Sequence, residues 1–107
     1  MPQPFGLAVR FFLRDGTETA FDRLVEETVE QIRAREPGTL VYVTHTVTGR
    51  PNERVFYELY RDEAAFEEHE RQEHVLRFLE QREQYVERFE VDRLAAITGK
   101  GYEVDGR

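Results

Sequence analysis

Two histidines five positions apart, His69 and His74, are the residues of this sequence best suited to chemistry at neutral pH. Imidazole titrates near neutrality, so either ring can take a proton from a phenolic hydroxyl or donate a hydrogen bond to one. On an unbroken helix five residues turn through roughly 140°. Rings placed that way do not chelate one metal ion as an i, i+4 pair does. The chain has no cysteine, which also excludes disulfides, thiolate catalysis and Cys-type zinc or iron–sulfur centres. Spacing and the missing cysteines therefore argue against a metal site. The plain alternative for each histidine is a surface ion pair, since Glu70 lies four residues before His74 and Glu73 four after His69. His69 follows Phe66 by three residues, which turns it toward the apolar side of its helix.

Glu58 is a second candidate. It sits among bulky residues in VFYELY, and a carboxylate buried there needs a partner, for which Arg10 is available. It reads either as a pocket acid or base, or as a structural or interface ion pair. Tyr42, Tyr57 and Tyr60 can line an aromatic-substrate pocket, each with an apolar body and one polar handle. Phe66 and Phe78 would belong to the same wall. His45 lies among valines and reads as a core or interface histidine with a partner.

These residues must be positioned by a small set of elements. Phe5–Arg14 alternates as a strand with Phe5, Leu7, Val9, Phe11 and Leu13 on its apolar side. Asp15 or Thr17 can cap a helix over about 18–35, whose stripe is Phe21, Leu24, Val25, Thr28, Val29 and Ile32. Glu36-Pro37-Gly38 ends it, with Gly38 suited to a left-handed turn. Thr39–Thr48 is a β-branched strand, and Gly49–Asn52 turns the chain into an antiparallel strand over Arg54–Tyr60. Asp62 can cap a second helix running without Pro or Gly to about Gln84, and Phe89–Ile97 is the last strand. Residues 98–107 form a tail or a short strand completed by a partner chain. The order β-α-β-β-α-β is that of an α+β, ferredoxin-like fold: a four-stranded antiparallel sheet with two helices on one face. A length of 107 residues points to a single domain, with its core in about 5–97.

Net charge is −7, with 22 acidic against 15 basic residues, which argues against nucleic acid and against an anionic membrane surface. No apolar run approaches the roughly 20 residues of a membrane-spanning helix. Neither end carries a secretory pattern, so a cytoplasmic protein is expected. The chain is 39% hydrophobic and 35% charged, polar for its size, which suits a protein that buries a second face against another subunit.

With Glu36-Pro37-Gly38 before an apolar strand, then YELYRDEAAFEEH from Tyr57 to His69, His74 and the aromatic Phe78, the chain resembles the antibiotic biosynthesis monooxygenase family of dimeric α+β barrels. The resemblance spans Phe5 to about Ile97. It implies a homodimer joined through the sheet faces that the helices leave bare. It also implies a pocket between sheet and helices for a small aromatic quinol, phenolic or polyketide substrate, oxidised by O2 without metal or flavin. His69 and His74 would handle protons; Tyr42, Tyr57, Tyr60, Glu58, Phe66 and Phe78 would contact substrate. Tyr60 stands where many members have Trp, and Gln72-Glu73 where many have Thr-Pro. The haem-degrading branch has a Trp at the position of His69 and a His near Leu79. This chain contains no Trp, which sets haem breakdown aside. A non-catalytic barrel that binds a small apolar ligand is the alternative implied by the same fold.

Overall fold

A computed structural model describes residues 3–101. It contains β1 (Phe5–Leu13), α1 (Glu18–Arg35), β2 (Thr39–Val47), β3 (Arg50–Tyr60), α2 (Glu63–Glu70), α3 (Glu73–Gln81), a 3-10 turn (Arg82–Gln84) and β4 (Val86–Ala95). The strands pair antiparallel in the order β2-β3-β1-β4. This is the ferredoxin-like α+β arrangement the element order predicts.

Pairing register fixes what the helices cover. Tyr42 opposes Glu58, Glu58 opposes Leu7, and Leu7 opposes Arg93, so these four form one row across the sheet. The next row on the same side is Thr44, Phe56, Val9 and Val91; the one after is Thr46, Arg54, Phe11 and Phe89. Residues of β1 and β3 in these rows are buried beneath the helices. At the centre Phe11, Phe21, Phe56 and Phe78 form a tetrad. Phe11 and Phe56 meet edge-on at 4.8 Å, and the remaining centroid separations run from 5.4 to 6.3 Å. Among the described residues no helix covers the other side of the sheet. Ala8, Phe12, Val55 and Tyr57 are half-buried there and Val43 is exposed.

Several local expectations are corrected. The second helix is two helices. Gln72 takes an extended backbone (φ −69°, ψ 140°) and becomes the N-cap of α3. The chain bridges the break by hydrogen bonds from Arg71 N–H to Glu68 C=O and from Gln72 N–H to His69 C=O. No Pro or Gly marks the spot. The hairpin turn is Thr48-Gly49 alone, with Gly49 at φ 80° and Arg50 already opposite Val47, so β3 begins four residues earlier than predicted. β4 likewise begins at Val86, not Phe89, and ends at Ala95. Thr17 occupies the N-cap of α1, but its hydroxyl turns back to donate to the Arg14 carbonyl at 2.7 Å. Gly38 is not in the left-handed region. Its lack of a side chain serves close approach: a Cβ there would lie 2.7 Å from Ala65 Cβ on α2. Residues 98–101 carry bends and no strand, and the rest of the predicted tail lies outside the described residues.

Candidate active site

Glu36, the C-cap of α1, points inward and is 8% exposed. That is an adverse place for an anion, both because it is buried and because it sits at the negative end of a helix. Three donors offset the penalty. Oε1 receives the Thr39 hydroxyl at 2.7 Å and His69 Nδ1 at 2.6 Å, and Oε2 receives His74 Nε2 in a short contact. Burial pushes the Glu36 carboxyl up, but the hydrogen bonds from His69, Thr39 and His74 outweigh it and hold the group below the usual carboxylate range. The two histidines therefore meet on one carboxylate, and neither pairs with Glu70 or Glu73. The break at Arg71–Gln72 makes this possible, because it swings α3 so that its His74 converges with His69.

Beneath His69 lies a cavity of about 350 Å³ between the sheet and the helices. Its floor is Leu7, Val9 and Phe11, and its helical wall is Phe66, Val75 and Phe78. Its polar lining includes Tyr42 from β2, Glu58 from β3, His69 and Glu70 from α2, Thr28 from α1 and Arg82 from the turn after α3. Phe89, Val91 and Arg93 of β4 also line it. A small, mostly apolar cavity with a few convergent polar groups is the usual form of a small-molecule site.

The polar groups are tuned against one another. Burial raises the Glu58 carboxyl, opposed by the Tyr60 hydroxyl, which donates to Oε1 at 2.5 Å, and by His69. Glu36 and Glu58 are thus shifted in opposite directions, the condition under which two carboxylates in one site take different tasks. Burial, then the charge of Glu58, raises the Tyr42 phenol well above its ordinary range. The Tyr60 phenol is raised for the same reasons. Arg82 is half-buried, and its guanidinium lies 4.6 Å from the Phe89 ring centroid and within 6 Å of those of Phe11 and Phe78. Burial lowers its affinity for a proton, offset by Tyr42, Glu83 and Glu58. Among the described residues it forms no ion pair.

Each residue singled out in the sequence now has a place. His69, Glu58, Tyr42, Phe66 and Phe78 line the cavity. His74 does not; it stands behind Glu36 and lines an outer groove between α1 and α3. Tyr60 is fully buried under Phe66 and acts through Glu58, while Tyr57 lies on the bare side of the sheet. Arg10 is also on that side and pairs with Glu53 at 2.6 Å, so it cannot be the partner of Glu58. His45 is exposed, and its Nδ1 bonds the Val55 carbonyl. Two site residues, Glu36 and Arg82, escaped the sequence reading. A signal was present in both cases: Glu36 lies four residues after Ile32, and Arg82 four after Phe78, each in step with a buried stripe. Among the described residues no group of three or more His, Asp or Glu is arranged to hold a metal ion.

The profile of the family described as antibiotic biosynthesis monooxygenase matches residues 4–81, the span that carries Glu36, Glu58, His69 and His74. No curated protein matches the sequence. Among solved structures, the chain is similar to protein PA3566 of Pseudomonas aeruginosa, with 28% identity and a TM-score of 0.83 over 92% of this chain and 98% of that one. It is similar to Rv0793 of Mycobacterium tuberculosis, with 25% identity and a TM-score of 0.83 over 92% and 99%. A candidate antibiotic biosynthesis monooxygenase of Bacteroides thetaiotaomicron shares the fold, with 22% identity and a TM-score of 0.85 over 94% and 95%. Among the described residues no helix is long and apolar enough to cross a membrane.

Proposed function

Because the chain belongs to the antibiotic biosynthesis monooxygenase family, we propose that it is a cofactor-independent monooxygenase acting on a quinol, phenolic or polyketide-type aromatic small molecule. The observation that carries this reading is the convergence of His69, Glu58, Tyr42 and Arg82 on one apolar cavity. His69 is the base. It removes a proton from an activated ring CH or hydroxyl, leaving a delocalised anion. Arg82 faces that anion and stabilises the developing oxyanion in a site with little water. Glu58 and Tyr42 hold substrate hydroxyls. The anion itself supplies the electrons that reduce O2. A C–O bond forms, the second C–H bond breaks, and one oxygen atom leaves as water, so a ring CH2 becomes C=O.

The test is oxygen uptake with a panel of quinols and anthrones, with product followed by mass spectrometry. One O2 consumed per carbonyl formed is expected. Arg82→Gln should lower kcat by about 10²-fold, the scale of losing one oxyanion donor. Saturable binding of the same compounds with no uptake would replace this reading with that of a ligand-binding barrel.

We also propose that residues 5–97 act as one domain and pair as a homodimer through the bare side of the sheet. Ala8, Phe12, Val43, Val55 and Tyr57 lie there, too apolar a surface to leave in water. Light scattering should give twice the chain mass of 12.7 kDa. Val43→Glu should move the value toward one chain. A wild-type protein that runs as a monomer at high concentration would remove this assembly.

A further inference from the structure

We propose that Glu36 and His74 form a positioning and proton-release arm behind His69. In this arm Glu36 leaves the Nε2 of His69 bare toward the cavity, and His74 gives a proton to water when His69 takes one from bound ligand. The proposal rests on reading His69 as the base of the cavity.

The first half follows from the hydrogen bonds. An ionised carboxylate only accepts, so the histidine nitrogens that touch Glu36 must carry the protons. His69 touches it through Nδ1 at 2.6 Å, so neutral His69 is the Nδ1–H tautomer and Nε2 holds the lone pair. No buried side-chain nitrogen or oxygen among the described residues lacks a partner, so Nε2 is not sealed in protein, and His69 borders the cavity. This is the division of labour of a catalytic triad, in which a buried carboxylate sets the tautomer of the base.

The second half follows from charge. Glu36 carries one negative charge and contacts two imidazoles, one on each oxygen. It can compensate one imidazolium; a second would be an unmatched buried cation. His74 is the more accessible of the two, 10% against 6% exposed, and lines the open groove shared with Glu27, Arg35, Arg71, Glu73, Arg77 and Glu80, whereas His69 borders the cavity and a second groove beside Arg61, Asp62 and Glu68. The other groups around the pair do not replace Glu36. Glu58 of β3 already accepts the Tyr60 hydroxyl, and its carboxyl is itself raised by burial. Tyr42 of β2 and Tyr60 of β3 lie tilted against the His69 ring, with centroids 5.8 and 5.1 Å away, and remain neutral. Arg82 lines the same cavity as His69, and its charge opposes a further cation there. At rest the extra proton sits on His74. When the O–H bond of a ligand breaks and its proton forms an N–H bond on His69 Nε2, His74 loses a proton from its solvent side. Charge within the cluster is conserved, and one proton appears in bulk water.

Para-nitrophenol is a probe that cannot turn over, and its ionised form has its own absorption band. In mildly acidic buffer, binding to wild-type protein should produce that band. Calorimetry in buffers of different ionisation enthalpy should show one proton released per ligand. His74→Asn, which can still donate to Glu36, should bind and ionise the probe while releasing none. Glu36→Gln can present its amide N–H to Nδ1, which reverses the tautomer; it should bind the probe without the band and lower kcat for oxygen uptake by about 10²-fold. The His69 tautomer, read from nitrogen–proton correlation spectra, should change in Glu36→Gln and stay unchanged in His74→Asn. Unchanged proton release in His74→Asn, or an unchanged tautomer in Glu36→Gln, would overturn the arm even if the enzyme is active. Normal ionisation and release in a protein that never consumes O2 would leave the arm standing and remove only the monooxygenase reading.

Discussion

His69→Asn should abolish most turnover. The expected fall in kcat is about 10²–10⁴-fold, the usual contribution of a general base, with little change in KM. Asn places an amide N–H where Nδ1–H stood, so Glu36 keeps its donor, while no lone pair of suitable basicity faces the cavity. The variant should therefore fold. Circular dichroism and the thermal midpoint check that point, and steady-state oxygen uptake gives the rates. An unaffected kcat would transfer the base role to Glu58. That carboxyl lines the same cavity and is raised by burial, partly countered by Tyr60 and His69.

Phe11→Ala should be the most damaging change to the fold. The ring is 2% exposed and meets Phe21 of α1 and Phe78 of α3 on the helical side, and Phe56 of β3 and Phe89 of β4 within the sheet. Removing it forfeits these four ring pairs, the cation–π contact with Arg82 and the packing that fills the space between layers. Loss of a buried Phe typically costs about 3–5 kcal/mol, a large share of the roughly 5–15 kcal/mol that stabilises a domain. Guanidinium unfolding should show the midpoint falling with little change in slope. A shift below about 1 kcal/mol would mean that the cavity beside Phe11 already tolerates rearrangement.

The strand and helix order was legible because alternation and helical spacing are strong in this chain. Phe5, Leu7, Val9, Phe11 and Leu13 alternate without a lapse, and Phe21, Leu24, Val25, Thr28 and Ile32 keep helical step. The candidate site was half legible. Histidines and tyrosines announce themselves by type, and five of the residues singled out do line the cavity. What local pattern could not supply was long-range pairing. Glu36 meets His69 from 33 positions away, a distance at which spacing rules are silent. The break at Arg71–Gln72 was invisible because no local residue demands it. His74 reaches Glu36 only with α3 turned out of line with α2, and helix propensity carries no trace of that contact. The mistaken pairing of Glu58 with Arg10 had a simpler origin. Residue 10 and residue 58 lie on opposite sides of the sheet, which only the register reveals.

The contact between Gly38 and Ala65 has a consequence for which sequences can carry this site. Strand β2 begins directly beneath α2, and the two backbones are separated by little more than one methyl group. Neither position can enlarge alone. A methyl at 38 would need one removed at 65, and glycine inside α2 weakens the helix that carries His69 by roughly 1 kcal/mol. The two positions are therefore constrained as a pair. Drift at one is blocked by the other, although neither touches the cavity or bears a reactive group. In a designed or recombined relative, a segment holding Glu36 and Thr39 and a segment holding His69 would be interchangeable only if their residues at these two positions matched.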